Sequence, residues 1–354
     1  MTDHYSAIAA QFRLDSPAVS ACAHGNGHIN KTVLLTTASG THYILQKLNH
    51  HVFRDIPALM ENVCAVTAHL QKKAADPRQV LQFLPSLAGE PYLFFEEEYW
   101  RVMPFVEDAL CLDTPRTPQD FYESGVAFGR FQDQLSDFPA QTLHETIPNF
   151  HNTPDRYRIF REVLSADPCG RAHTVQREID FYLAREQEAG TLVSMQQAGL
   201  LPLRVTHNDT KLNNVMLDSR TGKALCVIDL DTVMPGLSLY DFGDSIRFGA
   251  ATAAEDEQDL DKVETSLELY ETYARGFLTA CPALTAQERA MLPMGAKLMT
   301  LECGLRFLTD YLDGDHYFSV QRDGQNLDRC RTQMKLVADM EKKWDALQSL
   351  TATL

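Results

Sequence analysis

The chain has no pair of cysteines at C-x-x-C spacing, and no apolar run approaches the roughly 18 residues that a membrane-spanning helix needs. Its N-terminus, MTDHYSAIAAQFRL, reads as a helix and lacks the charged-then-apolar order of a secretory signal. Positive charge is scarce as well: 32 Lys and Arg stand against 48 Asp and Glu, a formal charge of −16. These absences exclude a membrane-spanning helix and argue against the cationic footprint that nucleic acid or anionic lipid requires. The eight cysteines then read as reduced thiols, with those in apolar runs, such as Cys226 and Cys303, in the core. The expected location is the cytoplasm, and the expected assembly a monomer or a small homo-oligomer. A shortage of net positive charge does not exclude a nucleotide, whose phosphates are held locally by backbone amides, one or two lysines and Mg²⁺.

What is present is length and an apolar fraction of 44% in 354 residues, ample for a core and more suited to two domains than one. No internal repeat or low-complexity linker divides it. The first part reads as a helix, then Cys22–Thr37 with a glycine turn at Gly25 and Gly27 and a strand-like segment after it, which pairs in a hairpin with a second strand over His42–Leu48, marked by Gly40. A helix over Leu59–Leu70 follows, then strands over Val80–Leu84, Tyr92–Phe95 and Tyr99–Val106. Pro104 cannot donate within a ladder, which predicts that Met103–Val106 is an edge strand leading into a linker. From Thr117 the pattern turns helical: a capped stripe to Leu135, then Tyr157–Ala166, Val175–Ala198, Asp259–Thr279, Thr285–Leu312 with a break near Pro293, and Leu327–Leu350. The fold class expected is α+β in two lobes: a small lobe over residues 1–105 with an antiparallel sheet and helix, and a large, mainly helical lobe over 106–354.

The densest chemistry lies between Val205 and Asp244, in VTHNDTKLNNVMLD and VIDLDTVMPG. Phosphoryl transfer asks little covalent work of a protein; it needs an oriented hydroxyl, neutralised phosphate charge and an in-line geometry. Asp209, in a polar loop after an apolar strand, is the candidate to orient an acceptor hydroxyl and take its proton. Asn214 offers a neutral oxygen to Mg²⁺ and Asp229 a charged one. Lys211 either places positive charge on the transferring phosphoryl group or is a solvated surface lysine. Asp241-Phe242-Gly243 spells the metal-binding tripeptide of protein kinases, yet Asp241 lies 32 residues beyond Asp209, whereas Asp229 lies 20 beyond and directly follows the apolar run Ala224–Ile228. The metal is therefore assigned to Asp229, with Asp231 as a supporting or second-metal carboxylate. Asp241 is expected to anchor the catalytic loop by hydrogen bonds, and His207 to brace it.

Gly25 and Gly27 allow backbone amides to approach phosphates closely. Met103 and Phe105 stand where a kinase hinge meets adenine. Glu61 is the sole acidic candidate on the Leu59–Leu70 helix to hold a strand lysine, and reads equally well as a solvated residue. His151 reads as a hydrogen-bonded loop residue, with a substrate contact as the alternative.

The H-N-D-x-K-x-N-N loop followed by I-D-L-D-T resembles the aminoglycoside phosphotransferase and choline kinase superfamily, which has a protein-kinase-like fold. GNGHIN, YILQ, FGRFQ, RVTHNDTKLNN, IDLDT, DFGDSIRFGA and ECGLRFLTDYL are together similar to a branch of it that phosphorylates N-acetylhexosamines. That resemblance implies transfer of the ATP γ-phosphate to the anomeric hydroxyl of N-acetylglucosamine or N-acetylgalactosamine. It implies Asp209 as base, Asn214 and Asp229 as magnesium ligands, and Arg306 and Tyr317 as sugar contacts. Read alone, Arg306 is either a site residue or the partner of Glu302 or Asp310 inside a helix. The same fold on choline, ethanolamine, homoserine, methylthioribose or an aminoglycoside is the alternative, and a non-catalytic nucleotide-binding module a second. In one place the chain departs from the superfamily: Gln46 stands where the strand lysine should follow YIL, and Lys47 comes next. Either the strand shifts so that Lys47 reaches the phosphates, or Gln46 and loop residues replace it.

Overall fold

A computed structural model describes residues 2–25 and 29–354, so Gly27 lies outside the described residues. The first part of the chain runs α1 (Thr2–Ala9), β1 (Ala18–Ala23), β2 (Lys31–Thr37), β3 (His42–Leu48), α2 (Ile56–Gln71), β4 (Leu93–Phe95) and β5 (Glu98–Pro104). After it come β6 (Ala109–Leu110), α3 (Pro118–Gln134), α4 (Thr153–Ala166), α5 (Gln176–Leu183), α6 (Glu186–Ala189) and α7 (Thr191–Gln197). The stretch that carries the densest polar motifs supplies β7 (Arg204–Thr206), β8 (Val215–Asp218), β9 (Ala224–Val227), β10 (Met234–Gly236) and α8 (Ser238–Gly249). Helices α9 (Leu267–Ala280), α10 (Ala286–Asp313), α11 (Gln325–Lys342) and α12 (Trp344–Thr353) complete the chain.

Five strands form one antiparallel sheet in the order β1-β2-β3-β5-β4. Side chains alternate across it. On one face Val33, Leu35, Tyr43, Leu45, Trp100 and Val102 pack with α1; on the other, Ile44, Leu48 and Met103 pack with α2. That second core continues without interruption into Phe131 of α3 and Leu135 at its C-terminal cap, Val205 of β7 and Leu230 and Val233 beyond β9. In the helical part α3 lies unusually close to α9: a Cβ on Gly129 would stand 2.4 Å from the Phe277 carbonyl, and one on Gly276 2.3 Å from that of Tyr122. Glycine costs helix propensity, and here the return is backbone contact between helices.

Several expectations are corrected. Strand β5 is interior, flanked by β3 and β4; Pro104 is its last paired residue, opposite Tyr43 and beyond the end of β4, so its missing N–H leaves no ladder partner unsatisfied. The Val80–Leu84 run contributes one isolated bridge, Leu84 to Val102, and no strand. Strand β1, AVSACA, was not anticipated, because its small side chains carry no alternating signal. The helix expected over Val175–Ala198 is three short ones, interrupted near Ala184 and at Gly190. Helix α9 begins only at Leu267, where Ser266 caps it. Helix α10 runs through Pro293 unbroken, since Leu292, Ala296, Leu298 and Leu301 bury it on several sides and tertiary packing outweighs the lost bond. Its capping box at Thr285 and Glu288 is present. Cys226 is buried and Cys303 half-buried, but Cys22, Cys111 and Cys169 are exposed; all eight are free.

Candidate active site

The loop after β7 is held from beneath. Asp241, fully buried in the first turns of α8, accepts hydrogen bonds from the backbone N–H groups of His207 (3.0 Å) and Asn208 (2.9 Å) and from Gln132 Nε2 (2.6 Å). Burial raises its pKa, opposed by His207 and those donors. Asp244, one turn on, accepts from Thr210 N (3.0 Å) and pairs with Arg247. The His207 ring lies between Phe128 and Phe131 and bonds the Ile228 carbonyl at 2.9 Å. Asn208 donates to the Thr232 carbonyl and Thr232 returns a bond to that of His207. The loop and the turn after β9 are thereby tied into one rigid unit, as a site that works by positioning requires.

On this support Asp209 points its carboxylate outward. Asn214 Nδ2 donates to its Oδ2 (3.0 Å) and to its backbone oxygen (2.8 Å), while Lys211 Nζ stands 2.8 Å from Oδ1. Burial works against the Lys211 charge, but Asp209 and then Asp244 hold its pKa above the ordinary value. With the Asn214 nitrogen committed to Asp209, its amide oxygen is the atom left to face a cation. Asp229 begins the turn after β9 in a left-handed conformation (φ 59°), and its carboxylate does not cap that turn. Such a conformation is costly for a residue with a Cβ, though Asp tolerates it better than most. The side chain opens to solvent yet is crowded by protein, and crowding, with the charges of Asp231 and Asp209, pushes its pKa up to about 6. A divalent cation would relieve that strain. The Asn214 amide oxygen and the Asp229 carboxylate are hard oxygen donors of the kind that suits Mg²⁺, which usually keeps water and phosphate oxygens in its remaining positions.

Asp231 is engaged otherwise than expected of a metal ligand. Both its oxygens are occupied: Oδ1 by Arg101 Nη1 (2.5 Å), Oδ2 by Arg101 Nη2 (3.1 Å) and Asn30 Nδ2 (2.5 Å). Arg101, on β5 opposite Gln46 in the register, also donates to Gln46 Oε1 at 3.0 Å. Gln46 shares the sheet face of Ile44 and Leu48, whereas Lys47 lies on the opposite face and pairs with Glu98 at 2.6 Å. The strand is not shifted, and Lys47 is turned from the catalytic loop. Glu61 is solvated and bonds His144. Gly25 has φ +70° and open space around its Cα. Met103 is buried, and the Phe105 N–H bonds the His42 carbonyl just past β5.

Behind the loop a polar cluster gathers. His151 Nδ1 is 2.8 Å from Glu302, which also accepts from Thr153. Burial opposes the Glu302 charge, but His151 beside it holds the pKa below the usual carboxylate range. Nε2 of His151 is buried without a partner among the described residues, on the wall of a pocket shared with Tyr240 and Asn208. Arg306 is not paired with Glu302 or Asp310; its guanidinium lies over the rings of Phe150, Tyr317 and Phe318 at 5.3–5.5 Å and donates to the Tyr317 hydroxyl. Tyr317 is 67% exposed. Arg101, Asn30 and Asp244 are the residues that sequence reasoning passed over. Arg101 had one available signal: an arginine amid the apolar residues of YWRVMPF, which needs a buried partner.

Solved structures with this fold span nearly the whole chain. An aminoglycoside phosphotransferase from Alicyclobacillus acidocaldarius is 12% identical, with 98% of this chain and 96% of that one covered and a TM-score of 0.66. A choline kinase from Cryptosporidium parvum is 13% identical, with 99% and 98% covered and a TM-score of 0.62. The amicoumacin kinase hAmiN, solved with AMP-PNP, Ca²⁺ and Ami, is 13% identical, with 96% and 93% covered and a TM-score of 0.62. Residues 20–276, a stretch that includes the sheet, the anchored loop and α8, match the phosphotransferase enzyme family APH, and the chain belongs to that family.

Proposed function

We propose that this phosphotransferase is an ATP-dependent kinase that phosphorylates the anomeric hydroxyl of N-acetylhexosamines, N-acetylglucosamine and N-acetylgalactosamine, to give the sugar 1-phosphate. The observation that carries the kinase reading is Asp209, clamped by Asn214 on one side and Lys211 on the other and sharing its cleft with the crowded, uncapped Asp229. Asp209 orients the acceptor hydroxyl and takes its proton as the anomeric oxygen bonds to the γ-phosphorus and the bond to the β,γ-bridging oxygen breaks, releasing ADP. Lys211 steadies the charge on the phosphoryl group in flight. Asn214 and Asp229 would hold Mg²⁺, which neutralises phosphate charge when bound. The amide about Gly25 would face the phosphates, and the backbone at Met103 and Phe105 the adenine. AMP-PNP and Ca²⁺ bound to a kinase of this fold are consistent with that use of nucleotide and divalent cation.

The acceptor reading rests on the resemblance of the motifs and on the polar cluster of His151, Glu302, Arg306 and Tyr317. A choline site needs free aromatic faces for its quaternary ammonium. Here the faces of Phe150, Tyr317 and Phe318 already hold the Arg306 cation, which favours a hydroxylated, uncharged acceptor. A panel of acceptors with Mg-ATP, followed by phosphorus NMR, tests this. The expected product is the 1-phosphate of both amino sugars; turnover of choline, ethanolamine, homoserine, methylthioribose or an aminoglycoside with none of either sugar overturns the acceptor. No turnover of any alcohol favours a non-catalytic nucleotide-binding module.

A further inference from the structure

The strand position where a lysine is expected holds Gln46, and the nearest lysine, Lys47, faces the other way. The cation on the cleft side of the sheet is Arg101, one strand over and directly opposite Gln46. Its guanidinium is 3% exposed and makes a two-armed contact with Asp231, which is 2% exposed. Gln46 Oε1 accepts a hydrogen bond from Arg101 Nε, its Nε2 in turn donates to Thr32, and the Phe83 ring covers the guanidinium at 5.3 Å. Asp231 lies two residues beyond Asp229, within the same short turn. Its second oxygen also accepts from Nδ2 of Asn30, just before β2, whose side-chain Oδ1 accepts from Asn49 N at 3.0 Å. One carboxylate from the catalytic stretch thus gathers β2, β3, β5 and the loop before β2.

We propose that Arg101 and Asp231 form a latch that replaces the strand-lysine arrangement: positioning residues that fix the Asp229 turn and the end of the glycine loop for a metal-loaded nucleotide, without touching the phosphates. Burial excludes direct contact, because the side chain has almost no exposed surface and four of its five N–H groups face Gln46, Met60 and Asp231. What the latch supplies is geometry. Bidentate arginine fixes both distance and plane, which a lysine at the same place cannot. The inference rests on the kinase reading above, as far as that reading makes Asp229 the carboxylate that meets the metal.

Calorimetric titration with AMP-PNP, in Mg²⁺ and separately in EDTA, tests the latch without an acceptor or turnover. The chief variant is the neutral pair Arg101→Met with Asp231→Asn, because removing both members of a buried ion pair avoids stranding one charge. The expected result is a melting temperature near the parent's, an unchanged affinity in EDTA, and an affinity in Mg²⁺ weakened about tenfold, as for loss of a group that orients a metal ligand. Equal affinities of variant and parent in Mg²⁺, or equal weakening with and without it, overturn the latch while leaving the kinase reading intact. A parent protein that binds no nucleotide overturns both. Should the neutral pair fail to fold, Arg101→Lys, which keeps the charge and loses the fork, is read by the same two affinities.

Discussion

Asp229 and Asp241 compete in the sequence for one post, and their surroundings assign them opposite ones. Asp241 is fully buried and meets three N–H donors. Asp229 sits in a left-handed turn, opens to solvent, and is surrounded by like charge that pushes its pKa up to about 6. A carboxylate whose lone pairs are met holds structure together; one left crowded and unmet has its oxygens free for another partner. The tripeptide spelling around Asp241 is thus no guide to role, whereas its lack of free oxygens is.

The largest effect that would break or sharpen this contrast lies next to both residues. Asp209→Asn is expected to lower turnover by at least roughly two orders of magnitude while changing Mg-ATP affinity little, as for loss of a positioned base; steady-state kinetics and nucleotide titration read the two separately. Near-normal rates would move the base elsewhere. Asp229→Asn should weaken Mg²⁺-dependent nucleotide binding at least about tenfold, since a charged oxygen ligand is lost, and leave binding in EDTA alone. Asp241→Asn should instead act through stability. Its amide would turn a donor toward N–H groups that need an acceptor, costing about 1–3 kcal/mol of stability in denaturant melts.

The smallest effect concerns pH. Because the folded pKa of Asp229 lies above that of an unfolded carboxylate, folding retains a proton that the unfolded chain releases. The stabilisation from this group is complete below roughly pH 4 and lost as pH rises through about 6. In EDTA, Asp229→Asn should therefore melt above the parent at pH 7 and level with it at pH 4, and added Mg²⁺ should narrow the difference at pH 7. A variant that melts below the parent at pH 7 would show that Asp229 stabilises the fold as Asp241 does.

The geometry of the candidate stretch was legible because its residues are contiguous: Asp209, Lys211 and Asn214 lie in one loop, and the apolar run ending at Ile228 announces the strand before Asp229. Asp241's anchoring role followed from spacing alone. The sheet's principal hairpin was legible too, through alternation in β2 and β3. What escaped depends on partners distant in sequence. Arg101 meets Asp231 across 130 residues, and nothing local in YWRVMPF identifies that partner. The neighbours of Arg306 come from the loop before α4 and the turn after α10. Helix α10 hid its continuity through Pro293 because the packing that overrides the proline is contributed by several other helices.

The core beneath α2 has a consequence for how the molecule comes apart. Leu59, Met60 and Val63 share their apolar neighbours with Phe131, Val205 and Leu230, so neither side of the chain can shed the other without wetting its own interior. Heat should therefore melt the protein in a single calorimetric transition, and a chain severed after residue 105 should yield fragments that aggregate separately and recover a fold only when mixed.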